Sequence, residues 1–151
     1  MTAFEKLLVD LSRSDVAYIL VGGLAVTLNG YARATEDVDI LVQASPLNLQ
    51  RLLNVLADFG EGHARQLTID DFTLEEGCIR VIESFPLDIF TLMSGYTYED
   101  LLPYTALHHV QDVPIRYLTA EGLIRLKSGS LRPRDQLDVQ ALRDIQRRHD
   151  P

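Results

Sequence analysis

Three aspartates lie within two short apolar segments that have the composition of buried strands. One residue separates Asp37 from Asp39, and because side chains alternate between the faces of a strand, both carboxylates point the same way. Asp88 lies in the second segment. Carboxylates buried side by side are costly without a positive partner, and oxygen ligands on adjacent strands suit Mg²⁺ carrying substrate phosphates. The pattern therefore predicts a metal site, at which two ions would activate a hydroxyl and stabilise a leaving pyrophosphate.

Each of these aspartates also has a simpler interpretation. Asp37 and Asp39 can form a strand-end turn with solvated carboxylates, and an Asp-x-Asp pair alone is a weak signal. Asp88 can cap a strand or pair with an arginine. The glycines upstream favour the metal site for the pair.

Two adjacent glycines stand where a buried strand turns into a short helix. The strand is predicted at 16–21 and the helix at 23–30, with Gly22 and Gly23 at the junction and Gly30 as the glycine that ends the helix. Glycine lets a phosphate approach the backbone N–H groups at a helix start, because no Cβ blocks the way. A tight turn without a ligand would need glycine as well.

The remaining pattern predicts an α/β (α+β) fold, a small mixed β-sheet flanked by helices, with residues 1–151 forming one domain. Strands are predicted at 16–21, 37–42 and 87–91, with a hairpin at 72–83 that extends the sheet. Flanking helices are predicted at 3–13, at 46–59 and in the C-terminal part, 119–148, and a shorter one at 97–102. Ser45 as N-cap and Pro46 as the first helical residue mark the start of the second. Residues 103–112, which include His108 and His109, are predicted as a loop, and 114–118 as a short edge strand.

Composition and charge narrow the function classes. The net charge of −8 argues against a broad nucleic-acid-binding surface. The single cysteine, Cys78, fits a reducing compartment, and neither a signal-peptide pattern nor a spanning apolar run is present, so we expect a cytoplasmic protein. Seven of the fourteen Lys and Arg residues lie between Arg125 and Arg148, where we expect an acceptor or partner to approach. They are Arg125, Lys127, Arg132, Arg134, Arg143, Arg147 and Arg148.

Four stretches of the chain together resemble a known family. They are Gly22-Gly23-Leu24-Ala25, Arg33-Ala34-Thr35-Glu36-Asp37-Val38-Asp39, Leu123-Ile124-Arg125-Leu126-Lys127 and Arg132-Pro133-Arg134-Asp135-Gln136-Leu137-Asp138. With Asp88 as a third strand aspartate, they resemble the nucleotidyltransferase superfamily that includes DNA polymerase beta and the tRNA CCA-adding enzymes. The pattern is most similar to small bacterial nucleotidyltransferases linked to abortive infection and type IV toxin–antitoxin systems.

The resemblance implies a catalytic and metal-binding role for the three aspartates. Asp37, Asp39 and Asp88 would bind two Mg²⁺ ions, and Gly22 and Gly23 would contact the triphosphate of an NTP.

The resemblance also implies positively charged residues next to the phosphates. Lys127 and Arg33 would lie near the phosphates, and Asp135 and Asp138 would fix the C-terminal helix or orient Lys127. Without the resemblance, Lys127 would be predicted as a solvated helix residue, and Arg132 to Asp138 as local ion pairs.

Two functions from different classes follow. The first is a magnesium-dependent nucleotidyltransferase that moves an NMP from an NTP to a hydroxyl acceptor (an RNA or tRNA end, a protein or a small molecule) and releases pyrophosphate. The second is a catalytically weak nucleotide-binding module, or one partner of a toxin–antitoxin pair.

Overall fold

A six-stranded mixed sheet forms the centre of the protein in the computed structural model, which describes residues 1–32 and 34–149. The strands are β1 (Tyr18–Val21), β2 (Val38–Val42), β3 (Ile79–Ile82), β4 (Pro86–Phe90), β5 (Thr105–Val110) and β6 (Val113–Leu118). The helices are α1 (Ala3–Arg13), α2 (Gly22–Leu28), α3 (Pro46–Ala57), α4 (Tyr98–Leu101), α5 (Ala120–Lys127) and α6 (Pro133–His149), with 3₁₀ turns between some elements. Within the described ranges, no helix has the length and apolarity needed to cross a membrane.

The predicted fold class is confirmed. The strands follow the order β3-β4-β2-β1-β6-β5, so the three strands predicted around the glycines and aspartates lie side by side as β1, β2 and β4. β2 is parallel to β4 and β1 is parallel to β6, whereas the other pairs are antiparallel. The sheet is therefore mixed, as expected.

The alternation along β2 determines which helices cover each aspartate. Val38 and Ile40 point into an apolar cluster shared with α1 and α3. Leu41 points the other way, into a cluster shared with α2, α5 and α6. Because Asp39 alternates with Val38 and Ile40, its side chain lies on the α2, α5 and α6 face.

The predicted hairpin at 72–83 is wrong in its first strand. Residues 72–78 form no strand, and β3 pairs instead with β4, the two being joined by residues 83–85. Phe72 is buried against the α1 and α3 face, so its apolar character reflects core packing rather than strand pairing. β3 still extends the sheet, but through the segment that carries Asp88.

The region after α4 also differs from the prediction. Residues 105–110 of the predicted loop form β5, which is the edge strand, and β6 lies inside the sheet between β1 and β5. The two strands join at Gln111 and Asp112, which both have positive φ values, 50° and 65°. Such a turn is usually marked by Asn-Gly or Asp-Gly, and Gln-Asp stands at this turn instead.

Pro114 explains why β6 looked like an edge strand. Proline lacks a backbone N–H and is typical of sheet edges. β1 pairs with β6 only where Leu20 faces Tyr117, so the ladder on that side does not use the position of Pro114. An interior strand therefore tolerates the proline.

Candidate active site

One row of residues crosses four neighbouring strands and contains two of the predicted aspartates. Arg80 of β3 faces Asp88 of β4, Asp88 faces Asp39 of β2, and Asp39 faces Val21 of β1. Residues in one row of a sheet project to the same face. The fold thus brings Asp39 and Asp88 together, and Asp37 lies on the same side immediately before β2.

Gly22 follows directly on this row and begins α2. Its φ of +69° lies in the left-handed region, which side chains other than glycine rarely adopt. A Cβ at this position would overlap the carboxylate of Asp39. Glycine is therefore required here both by the backbone and by the space that Asp39 occupies.

Replacing Gly22 by alanine is expected to destabilise the protein by about 3 kcal/mol or more, because backbone strain and overlap with Asp39 add. Gly95 is the matched control, since its φ is +82° and a Cβ added there would meet no atom within 4 Å. Urea denaturation of both variants separates the two contributions. Equal losses in Gly22→Ala and Gly95→Ala would contradict the close packing of Gly22 against Asp39.

Arg80 is the site residue that sequence reasoning missed. Its Nε donates to Asp88 Oδ1 at 2.7 Å, and its Nη2 donates to Asp88 Oδ2 at 2.9 Å and to Asp37 Oδ2 at 3.2 Å. The alternative interpretation of Asp88 as an arginine partner therefore applies. The only signal in the sequence is an arginine between apolar residues of a short strand. The antiparallel register of β3 and β4 is what places this arginine opposite Asp88.

Asp39 is the carboxylate of the row that lacks this arginine. Burial, together with the charges of Asp88 and Asp37 and a hydrogen bond to Asp88, raises the pKa of Asp39 to about 7. Lys127 opposes the rise in pKa only weakly. Near neutral pH the row therefore holds a carboxyl group whose negative charge is poorly compensated.

Lys127 occupies the other side of the site, at the end of α5. Its Nζ lies 2.9 Å from Asp135 Oδ1 and 3.1 Å from Asp138 Oδ2 of α6. Both carboxylates are buried, and the Lys127 side chain is only 12% exposed. These ion pairs hold α5 against α6, as the resemblance implied for Asp135 and Asp138, and they exclude the simpler interpretation of Lys127 as a solvated helix residue.

Asp135 is the centre of this polar cluster. It also accepts hydrogen bonds from Ser130 Oγ at 2.7 Å and Arg132 Nε at 2.9 Å. Burial alone would raise the pKa of Asp135, but the hydrogen bonds from Lys127, Ser130 and Arg132 outweigh it and hold the pKa at about 2. Asp135 is therefore ionised at neutral pH and fixes the loop between α5 and α6.

Asn29 links the glycine helix to the base of α5. Its Nδ2 donates to Leu118 O at 3.0 Å, and its Oδ1 accepts from Ala120 N at 2.9 Å. The two bonds connect the end of α2 to the start of α5, so they help to set where Lys127 lies relative to Gly22.

The carboxylates and arginine of the row, the two glycines and Lys127 line one cleft of about 490 Å³. Its walls include six of the seven predicted site residues and further charged side chains; they are Gly22, Gly23, Asp37, Asp39, Arg80, Asp88, Phe90, Met93, Lys127, Arg132, Arg134 and Asp135. Arg33, the seventh predicted residue, lies outside the described residues.

The fold and the cleft define a nucleotidyltransferase-like protein, and solved structures agree. The chain is similar to the lincosamide antibiotic adenylyltransferase LnuA, solved with lincomycin bound, at 19% identity and a TM-score of 0.63, covering 95% of this chain and 96% of that one. It is also similar to a nucleotidyltransferase candidate from Thermotoga maritima at 16% identity and a TM-score of 0.57, covering 97% and 91%. At these identities the likeness concerns the fold.

Residues 1–147 match a protein family described as a nucleotidyltransferase of unknown function (DUF6036). The chain belongs to this family, which confirms the superfamily that the glycine and aspartate motifs indicated. A search of curated proteins finds no sequence match.

Proposed function

We propose that this chain transfers a nucleoside monophosphate from an NTP to a hydroxyl acceptor with the help of divalent metal ions. In this reaction the acceptor hydroxyl gives its proton to solvent and its oxygen bonds to the α-phosphorus. The bond between the α-phosphorus and the bridging oxygen breaks, and pyrophosphate leaves with that oxygen. The observation that carries the proposal is the pairing of Asp39 with Asp88 on adjacent parallel strands, beside a glycine that leaves room for no side chain.

The side chains of the cleft suit a divalent ion chemically, although they do not form a complete coordination shell. Within residues 1–32 and 34–149, no three His, Cys, Asp or Glu groups converge as a ready metal site. The chemistry of the donors is nevertheless suitable, because the oxygens of Asp37, Asp39 and Asp88 are hard ligands and Asp39 lacks adequate positive compensation. When bound, Mg²⁺ would supply a Lewis acid that stabilises charge on the phosphates.

The chain's own residues have distinct roles in this proposal. Asp37, Asp39 and Asp88 would hold the metal, and the backbone at Gly22 and Gly23 would accommodate the triphosphate. Lys127 lines the cleft but is already held by Asp135 and Asp138, so its main effect is to position α5 and α6 and to add a fixed positive charge.

The acceptor class is proposed from similarity in fold. An RNA or tRNA end, a protein and a small molecule all carry suitable hydroxyls. LnuA, which has the same extent as this chain and was solved with lincomycin, is described as an adenylyltransferase, and this supports a small hydroxylated molecule here. We also propose that the protein carries out this reaction in the cytoplasm.

Arg132, just before α6, and Arg134, in its first turn, differ in whether a carboxylate already pairs with them. Arg132 Nη2 lies 2.9 Å from Asp135 Oδ2. Arg134 lines the same cleft and forms no ion pair within the described part of the chain. Arg134 is therefore the one available to an incoming acceptor.

Arg134→Glu is expected to lower kcat/KM for the acceptor about tenfold, because the guanidinium that would donate hydrogen bonds to the acceptor is lost, with the KM for NTP and the stability unchanged. Arg132→Glu is the matched control and is expected to lower stability, because it places a second carboxylate beside Asp135. Steady-state kinetics measures kcat/KM for the acceptor, and thermal unfolding measures the stability of each variant. Identical behaviour of the two variants would show that the acceptor enters elsewhere.

The proposed function is tested by incubating the protein with Mg²⁺ and each α-labelled NTP, in the presence of lincosamides, other hydroxylated small molecules, bulk RNA and the protein alone. We expect metal-dependent release of pyrophosphate and label on a small-molecule acceptor. Asp70→Asn, which removes a carboxylate beside α3 outside the cleft, should retain activity. Binding of NTP without any transfer would instead favour the nucleotide-binding module or toxin–antitoxin partner.

A further inference from the structure

Arg80 occupies the carboxylate oxygens that a metal ion would need. It engages both oxygens of Asp88 and one oxygen of Asp37. A forked guanidinium bound to a carboxylate through two parallel bonds is one of the stronger polar contacts in proteins. A cation is therefore already present at this end of the row.

The burial of the partners shows that Arg80 lies on the solvent side of the cluster. The Asp88 side chain is 8% exposed, the Asp37 side chain 39% and the Arg80 side chain 49%. β3 is an edge strand, so Arg80 has no further strand beyond it. The guanidinium can therefore leave the carboxylates for water without crossing a packed region.

The other cations of the cleft do not have this position. Lys127 and Arg132 are bound to Asp135 on the opposite wall. Only Arg80, among the residues described, bridges Asp37 and Asp88.

We propose that Arg80 is a built-in counter-ion of the carboxylate row, which a divalent ion must displace from Asp37 and Asp88 in order to bind. Arg80 then sets the metal affinity of the free protein and prevents tight metal binding before substrate arrives. Once displaced, its guanidinium remains at the mouth of the cleft, where it can contact the phosphates of the nucleotide. This inference rests on the proposed metal site but does not require transfer activity.

The test is a calorimetric titration of the 151-residue protein with Mn²⁺ in the absence of nucleotide. Arg80→Gln is expected to bind Mn²⁺ about tenfold to a hundredfold more tightly than the unaltered protein, because no charge-assisted bonds to Asp88 and Asp37 have to be broken. Arg80→Lys, which keeps the charge but loses the fork, should be intermediate. Arg132→Gln removes a positive charge from the same cleft without touching the row, and it should change the affinity less than about threefold.

Thermal unfolding and NMR give readings that do not depend on the calorimetry. The melting temperature of Arg80→Gln should be lower without metal and should rise more on adding Mn²⁺ than that of the unaltered protein. In the unaltered protein, Mg²⁺ should shift the Arg80 Nε–H signal towards that of a solvated arginine. The NMR measurement needs no variant, so it tests the proposal even where Arg80→Gln fails to fold.

Two results would overturn the inference while leaving the metal site intact. One is Mn²⁺ binding that is equal or weaker in Arg80→Gln, or equally improved in Arg132→Gln. The other is an Arg80 Nε–H signal that Mg²⁺ leaves unchanged although the metal binds. Absence of Mn²⁺ binding in every variant would overturn both this inference and the proposed metal site.

Discussion

Asp39→Asn is expected to abolish nucleotidyl transfer and, above neutral pH, to stabilise the metal-free protein. The loss of activity follows because a neutral amide is a poor ligand for Mg²⁺, and losing several kcal/mol of stabilisation in the transition state lowers the rate by about a thousandfold or more. The gain in stability follows because the charge of Asp39 is unfavourable in the folded row.

The pH dependence of this stability has a definite sign. The pKa of Asp39 is raised in the folded protein, from 3.8 to about 7, so the folded state binds the proton more tightly than the unfolded state does. The contribution of Asp39 to stability is fully present below its unfolded pKa and is lost as the pH rises through about 7. The advantage of asparagine should therefore grow from pH 5 to pH 8 and reach about 1–3 kcal/mol.

Urea denaturation of the metal-free protein at both pH values measures this difference. The control is Asp70→Asn, which removes a carboxylate outside the cleft. Its free energy of unfolding relative to the unaltered protein should hardly change with pH. Transfer that persists in Asp39→Asn would remove Asp39 from the catalytic centre. If Asp39→Asn is less stable than the unaltered protein at pH 8, the negative charge of Asp39 is compensated in the folded protein.

Lys127→Ala is expected to lower the free energy of unfolding by about 3–5 kcal/mol. The substitution leaves the buried carboxylates of Asp135 and Asp138 without their shared lysine, and an uncompensated buried charge is strongly destabilising. The loss of stability should exceed any direct effect on NTP binding, since the lysine is 12% exposed and held by its partners.

Lys127→Met separates the two effects, because it keeps the aliphatic packing and removes only the charge. It should also be destabilised, whereas Lys6→Ala on the exposed side of α1 should remain within about 0.5 kcal/mol of the unaltered protein. Chemical denaturation provides the stability and calorimetry with a non-hydrolysable NTP provides the affinity. A stable Lys127→Ala with greatly weakened NTP binding would assign Lys127 to the phosphates instead.

The sequence was sufficient to predict the elements that carry strong local signals. Short runs of apolar residues identified β1, β2 and β4, and Ser45 before Pro46 predicted the start of α3, where Ser45 Oγ caps the helix. Gly30 was predicted to end α2, and its φ of +106° agrees. Asp37 and Asp39 lie on one strand segment, so their shared orientation follows from period-two alternation alone.

Other features depend on pairings between distant segments and have no local signal. Arg80 acquires its role only because β3 pairs with β4 in the register that places it opposite Asp88. Lys127 is buried by a helix that follows it in the chain, and only the family resemblance, not the residues next to it, indicated that Asp135 and Asp138 would hold it. The turn at Gln111 and Asp112 uses positive φ values without glycine, which left β5 unrecognised.

A structure of the protein crystallised with Mn²⁺ and a non-hydrolysable ATP analogue tests the central proposal most directly, because the anomalous signal of manganese locates the ion independently of the protein coordinates. We expect a manganese peak about 2.0–2.5 Å from carboxylate oxygens of Asp39 and Asp88. The triphosphate should lie beside Gly22 and Gly23, and Arg80 should be released from Asp88. Nucleotide and metal bound away from this row, with Arg80 still on Asp88, would contradict the proposed nucleotidyltransferase site.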